Sequence, residues 1–302
     1  MKLFVGVTDF GWFSHLKEIT PEEVNFWQPY SSRHFKAVQP GALILFKLHA
    51  PRNAIAGGGI FVKEAMMPAS VTWDAFRETT GQVGRRSFEN AIYHQRGTDK
   101  QSEPDPIIRS LVLSHPFFLD EVDWMPTPDD WAMNIGQGKT YEAESSEGQS
   151  LLEALKNRID KKYWGLYELD QQSETEIGDY KSPNAFKIAV SEAYHGRCAM
   201  TDEATRPALE ATYIKPLSEG GASEVSNGIL LRKDLLGLFE SGYIGIGDHY
   251  NILVSKKAAS EGVLSETYLK LDGKTVRNLP DRLLDRPLFD VLEWHREKVF
   301  IG

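Results

Sequence analysis

The stretch Leu209-Glu210-Ala211-Thr212-Tyr213-Ile214-Lys215-Pro216-Leu217-Ser218-Glu219-Gly220-Gly221 decides how this chain is read. It reads as a strand running into a loop that carries a Gly-Gly pair. Ser226-Asn227-Gly228-Ile229-Leu230-Leu231 follows as an Asn anchor and a second strand, and Asp234-Leu235-Leu236-Gly237-Leu238-Phe239-Glu240 as a short helix. Lys215, Arg232 and Lys233 flank this frame as candidate contacts to a phosphate backbone, which give affinity without sequence specificity. Upstream, Ser182-Pro183 has the form of a helix N-cap followed by proline at the first helical position. Phe186, Val190 and Ala193 mark one face of that helix, which runs to about His195-Gly196. Arg197-Cys198-Ala199-Met200-Thr201 reads as a short strand into a turn, with Cys198 as a small buried hydrophobe.

Around this centre the chain has 302 residues, enough for two domains with sizeable cores. Its 41% hydrophobic and 25% charged residues are globular composition, and no apolar run approaches a membrane span. The single cysteine excludes an internal disulfide and an all-cysteine zinc site. Met1 to Asp9 reads as a first strand rather than a signal peptide, so a cytoplasmic protein is expected. The net charge of −9 is uneven: −2 over residues 1–140, −6 over 141–179 and −1 over 180–302. Either flanking region can therefore still present a basic face to nucleic acid.

The expected domains follow that division: 1–140, an acidic helix and linker over 141–179, and 180–302. In the first, Leu3 to Val7, Ala42 to Leu48 and Ile60 to Val62 read as strands, and Gly57-Gly58-Gly59 permits close approach of backbone or ligand. Many aromatic residues fill a small β-domain there. Trp12, Trp27 and Tyr30 sit in loop-like text and are candidates to stack on a base, with Asp9 as a polar contact to its edge. Gly136-Gln137-Gly138-Lys139-Thr140 lacks the spacing of a P-loop. Leu152, Leu155 and Ile159 share one face of a helix over 151–163, and residues 169–179 read as a linker.

The order of Gly41, apolar strand, His49-Ala50-Pro51, Gly-bearing strand and a helix around Trp73-Asp74-Ala75-Phe76 resembles the PUA-like barrels, the EVE domain among them. That resemblance implies reading of a modified or flipped base. The frame at 209–240 resembles the ββα-metal motif of HNH nucleases, so that nearly the whole chain resembles PUA-like/EVE–HNH modification-dependent restriction endonucleases. The implied fold is α+β, a PUA-like (EVE-like) β-barrel followed by a ββα-metal (HNH) domain with flanking helices.

In that family a histidine general base stands at the Tyr213 position, Asn227 is retained as the pin between loop and strand, and a second histidine stands at the Leu236 position. Tyr213, Asn227 and Leu236 are thus the motif positions, with both imidazoles replaced. A phenol with a pKa near 10 is a poor base at pH 7, and a leucine offers a metal no lone pair. Glu210 and Glu240 are the carboxylates placed to hold Mg²⁺ or Mn²⁺ if activity survives.

Three functions remain open. The first is a defence-type protein that binds double-stranded DNA, reads modified bases and cleaves weakly or not at all. The second is an active endonuclease on modified-cytosine DNA with a rearranged site. The third is a regulatory subunit acting through protein contacts. Two-strand cleavage implies a homodimer.

Overall fold

The computed structural model describes residues 2–29, 35–132, 134–159, 164 and 182–302. The chain divides into two compact units, Met1–Glu174 and Thr175–Gly302. Among the described residues no helix is long and apolar enough to cross a membrane.

The first unit is a mixed α+β body built on one seven-stranded sheet. Its elements are β1 (Lys2–Thr8), α1 (Phe10–Ile19), β2 (Glu23–Gln28), β3 (Leu43–Leu48), β4 (Ala54–Pro68), α2 (Ala69–Phe76), α3 (Arg85–Arg96), β5 (Ile107–Phe118), β6 (Met125–Pro126), β7 (Gly138–Glu142) and α4 (Ser146–Lys156). The strand path is β2-β5-β4-β3-β1-β7, with β6 on β4; β1 and β3 run parallel. Among the described strands no pairing joins β2 to β7, so the path is open where a barrel was expected.

Strand alternation divides the core between the two faces of the sheet. Phe4, Phe26, Phe46 and Leu113 pack under Trp12, Phe13 and Leu16 of α1, whereas Leu3, Val5, Leu43 and Leu45 pack under Leu151 and Leu155 of α4. Each fully buried Leu or Phe contributes roughly 2–3 kcal/mol. The expected helix over 151–163 thus starts earlier, at Ser146, capped by Ser145, and its apolar face completes the first unit's core. The linker over 169–179 lies outside the described residues. Gly57 and Gly58 serve strand packing: a Cβ at Gly57 would lie 2.3 Å from the Phe117 carbonyl oxygen. The Gly136–Thr140 run is no nucleotide loop, since Gly138 begins edge strand β7 and the Lys139 ammonium is paired with Asp130 at 2.5 Å.

The second unit comprises α5 (Pro183–Ala193), β8 (Leu209–Tyr213), β9 (Gly228–Arg232), α6 (Lys233–Glu240), β10 (Ile244–Ile246), β11 (Ile252–Val254), α7 (Lys256–Ser260), α8 (Glu266–Leu269) and α9 (Phe289–Lys298). Ser182 caps α5 by accepting from the Ala185 N–H at 3.1 Å, and Pro183 opens the helix. β8 and β9 form one antiparallel hairpin and β10 and β11 another. One core joins Phe186 and Val190 of α5, Leu230 of β9, Leu235, Leu236 and Phe239 of α6 and Leu292 of α9. Residues 198–201 form turns rather than a strand, because the Ala199 N–H donates singly to Leu230 and the Asp202 N–H folds back to Cys198. Cys198 is buried.

Candidate functional site

The hairpin β8–β9 and helix α6 make a strand–loop–strand–helix frame whose loop is set by one side chain. Asn227 is buried; its Oδ1 accepts from the Lys215 N–H at 2.9 Å, and its Nδ2 donates to the carbonyls of Lys215 and Ala222, both at 2.8 Å. All three contacts cross the loop, so Asn227 holds both of its arms. The Ile214 N–H donates to the Asn227 carbonyl, which continues the hairpin ladder beyond Tyr213. Gly221 completes the loop because any Cβ there would lie 2.0 Å from the Lys215 carbonyl oxygen.

Tyr213 ends β8 on the side of α5. Its ring stacks on Phe186 at 3.7 Å between centroids and 17° between planes, and its hydroxyl shares a 3.0 Å hydrogen bond with Ser223 Oγ. Leu236 is buried in the unit's core from α6. The two motif positions thus hold a packed phenol and an aliphatic side chain. Neither fits a divalent cation, which takes oxygen or imidazole ligands.

Among the described residues no group of three or more His, Cys, Asp and Glu is placed to hold a metal. Glu210 is paired with Lys187 at 3.3 Å, and Glu240 accepts from Thr212 Oγ1 at 3.4 Å. The latter bond brings the end of α6 to β8, the strand that carries Glu210 and Thr212. Each carboxylate nonetheless already has a neighbour, and among the described residues no third ligand joins them.

Of the three phosphate candidates, Arg232 is spoken for. Its Nε donates to Asp234 Oδ1 at 2.9 Å and its Nη2 to Asp234 Oδ2, while the Tyr268 hydroxyl donates to the same carboxylate at 3.0 Å. The Arg232 hydrogen bonds, with Tyr268 adding to them, hold the Asp234 carboxyl down at about 2. Lys215 and Lys233 make no ion pair among the described residues.

The remaining imidazoles of the unit are occupied or remote in role. His195 pairs with Asp281 at 3.1 Å, and His249 is exposed. His295 is buried, stacked on Phe239 at 3.7 Å, with Nε2 donating to the Phe239 carbonyl and Nδ1 without a partner among the described residues. Burial pushes its pKa below the usual imidazole value.

In the first unit the candidate base contacts among the described residues, Asp9, Trp12 and Trp27, are engaged within the fold. Residues 10–19 form helix α1 rather than a loop, and Asp9 caps it by accepting from the Trp12 N–H at 2.7 Å. Trp12 is buried, edge-on to Phe26 and Phe46. Trp27 lies in β2, packs on Phe88 and donates its indole N–H to the Thr80 carbonyl. Tyr30 lies outside the described residues. Sequence reading also missed Phe186, Ser223, Lys187 and Asp234 as the partners that fix Tyr213, Glu210 and Arg232. Only Asp234, two residues from Arg232, had a visible signal in the sequence.

The HNH endonuclease family matches this chain over residues 198–247, which span the whole frame. The chain therefore carries an HNH endonuclease domain there. No curated protein matches the sequence. Among solved structures, ASCH from Zymomonas mobilis is 14% identical, with a TM-score of 0.30 over 49% of this chain and 94% of that one. The modification-dependent TagI restriction endonuclease is 11% identical, with a TM-score of 0.30 over 92% of this chain and 75% of its own. The type IV phosphorothioation-dependent restriction endonuclease ScoMcrA is 10% identical, with a TM-score of 0.23 over 78% and 46%.

Proposed function

We propose that this chain is a DNA-binding protein of restriction or defence type whose HNH frame holds duplex DNA and cleaves it weakly or not at all. In this reading residues 1–140 recognise a modified base, modified cytosine being the class expected, residues 141–179 connect, and residues 180–302 supply the frame. The observation that carries the proposal is the contrast inside the frame. Asn227 keeps its three loop bonds, whereas the two positions that need imidazoles hold a tyrosine engaged with Ser223 and Phe186 and a buried leucine.

Two chemical facts support the inactive reading. A phenol that is protonated at neutral pH does not take a proton from water, and a leucine does not ligate Mg²⁺ or Mn²⁺. Lys215 and Lys233 support the binding half, since cations beside the frame with no ion pair among the described residues release counterions when a phosphate backbone docks.

The test is restoration. Tyr213→His combined with Leu236→His is expected to create Mg²⁺- or Mn²⁺-dependent nicking of duplex DNA in a protein that binds the same duplex without it. Equal inactivity of the double variant, with its fold intact by circular dichroism, would count against descent of this frame from a working centre.

A further inference from the structure

The first unit holds a cavity of about 360 Å³ that none of Asp9, Trp12 and Trp27 lines. That volume falls within the roughly 300–1,000 Å³ of pockets that take small organic ligands. The cavity sits where the end of α1, the end of β5 and the chain just after α4 meet. Pro21, Pro116, Phe117 and Phe118 make flat apolar walls, and Lys17 and Arg158 supply two cations. Among the described residues no aspartate or glutamate lines it.

Backbone irregularity and cross-links build these walls. Gly58 pairs with Phe117 and Ile60 with Ser114, so His115 and Pro116 together stand opposite the single Gly59. This bulge puts His115 in the left-handed region, at φ 48°, which a histidine adopts only at a cost. Bulges re-aim the side chains beside them, here Phe117 and Phe118. The His115 N–H donates to the Glu22 carbonyl at 3.1 Å, which ties β5 to the segment after α1 that carries Pro21. Lys17 Nζ makes a second tie from α1, donating to the Leu119 carbonyl at 3.0 Å and to Asp120 Oδ1 at 2.6 Å.

Charge selects the ligand. Lys17 is answered by Asp120, whereas Arg158 makes no ion pair among the described residues and spends one N–H on the Ala154 carbonyl at 2.8 Å. The rest of its planar fork matches a carboxylate or a phosphate. Beside it, the two phenylalanines offer ring faces and edges on which another flat ring packs. Apolar walls with one uncompensated guanidinium are the pattern of a site that takes an aromatic anion.

We infer that this cavity binds a small planar ring carrying one anionic group, with the ring among the proline and phenylalanine walls and the anion on Arg158. A nucleoside monophosphate and an aromatic carboxylate share that chemistry. The site uses residues of the first unit alone, so it stands whether or not the HNH frame holds DNA.

Titration calorimetry of the full chain with deoxycytidine monophosphate and, separately, with 2-naphthoate tests this. At least one probe is expected to bind at one site per chain, and which of them binds identifies the source of the ligand. Arg158 is exposed, so Arg158→Gln should leave the thermal midpoint unchanged while weakening that binding about tenfold or more. Arg158→Lys, which keeps the charge but not the fork, should recover only part of the loss. Lys215→Gln with Lys233→Gln should leave probe binding as it is. Failure of both probes to bind at millimolar concentration, or binding indifferent to Arg158→Gln, would overturn the inference. So would binding that the lysine variant loses and Arg158→Gln keeps, which would move the ligand to the frame. A chain that binds a probe through Arg158 but has no affinity for duplex DNA would uphold this site and remove the DNA-binding reading.

Discussion

Asn227 fixes the frame through three bonds made by one buried amide. Asn227→Ala removes three hydrogen bonds to the half-buried Lys215 and the exposed Ala222, whose backbone groups can turn to water, so a loss of about 1–3 kcal/mol is expected. A urea titration should show the midpoint falling with the slope unchanged. Tyr213→Phe is milder: it removes the bond to Ser223 but keeps the stack on Phe186, so a loss of about 1 kcal/mol is expected. A pinning role for Asn227 was implied by the resemblance of the frame to HNH nucleases, not by the local sequence, where Asn-Gly is also an ordinary turn pair. The partners of Tyr213 were not legible, since Phe186 lies 27 residues upstream and reads there as ordinary core.

At the scale of elements, α9 is locked to α6 through His295, whose ring lies on Phe239 and whose Nε2 donates to the Phe239 carbonyl. Burial lowers the folded-state pKa of His295, so the unfolded chain binds the proton more readily. The stability this His contributes is therefore fully present above an ordinary imidazole pKa of about 6.5 and is lost progressively as pH falls below it. Thermal melts between pH 8 and 5 should show a decline below about pH 6.5 that His295→Phe flattens.

The same scale shows where sequence patterns carried and where they failed. β1, β3 and α5 were legible because a short apolar run, or a Ser-Pro cap, states the element locally. Helix α1 was not, because its Gly11 and three aromatics imitate loop text while Asp9 caps it and Trp12 packs inward. That error moved Asp9 and Trp12 from helix and core into a supposed pocket.

On the scale of the whole molecule, the HNH match at 198–247 lies where the resemblance of the 209–240 frame implied it. The open strand path of the first unit was not legible, since the pairing of strands far apart in the chain depends on contacts no local pattern encodes. Binding of duplex DNA should be electrostatic at its base. Lys215→Gln with Lys233→Gln is expected to weaken it and to reduce the salt slope by roughly 1 per lysine that meets a phosphate. Arg232→Gln should change the slope little, because its charge is already answered by Asp234.

The most direct test of the account is incubation of the wild-type protein with duplex DNA, unmodified and carrying modified cytosine, in Mg²⁺ and in Mn²⁺, with binding and strand breaks followed together. Retarded duplex with no breaks, or breaks that Glu210→Ala and Glu240→Ala leave unchanged, is the predicted result. Nicking that is abolished by either glutamate substitution would contradict it and make the rearranged frame a working nuclease.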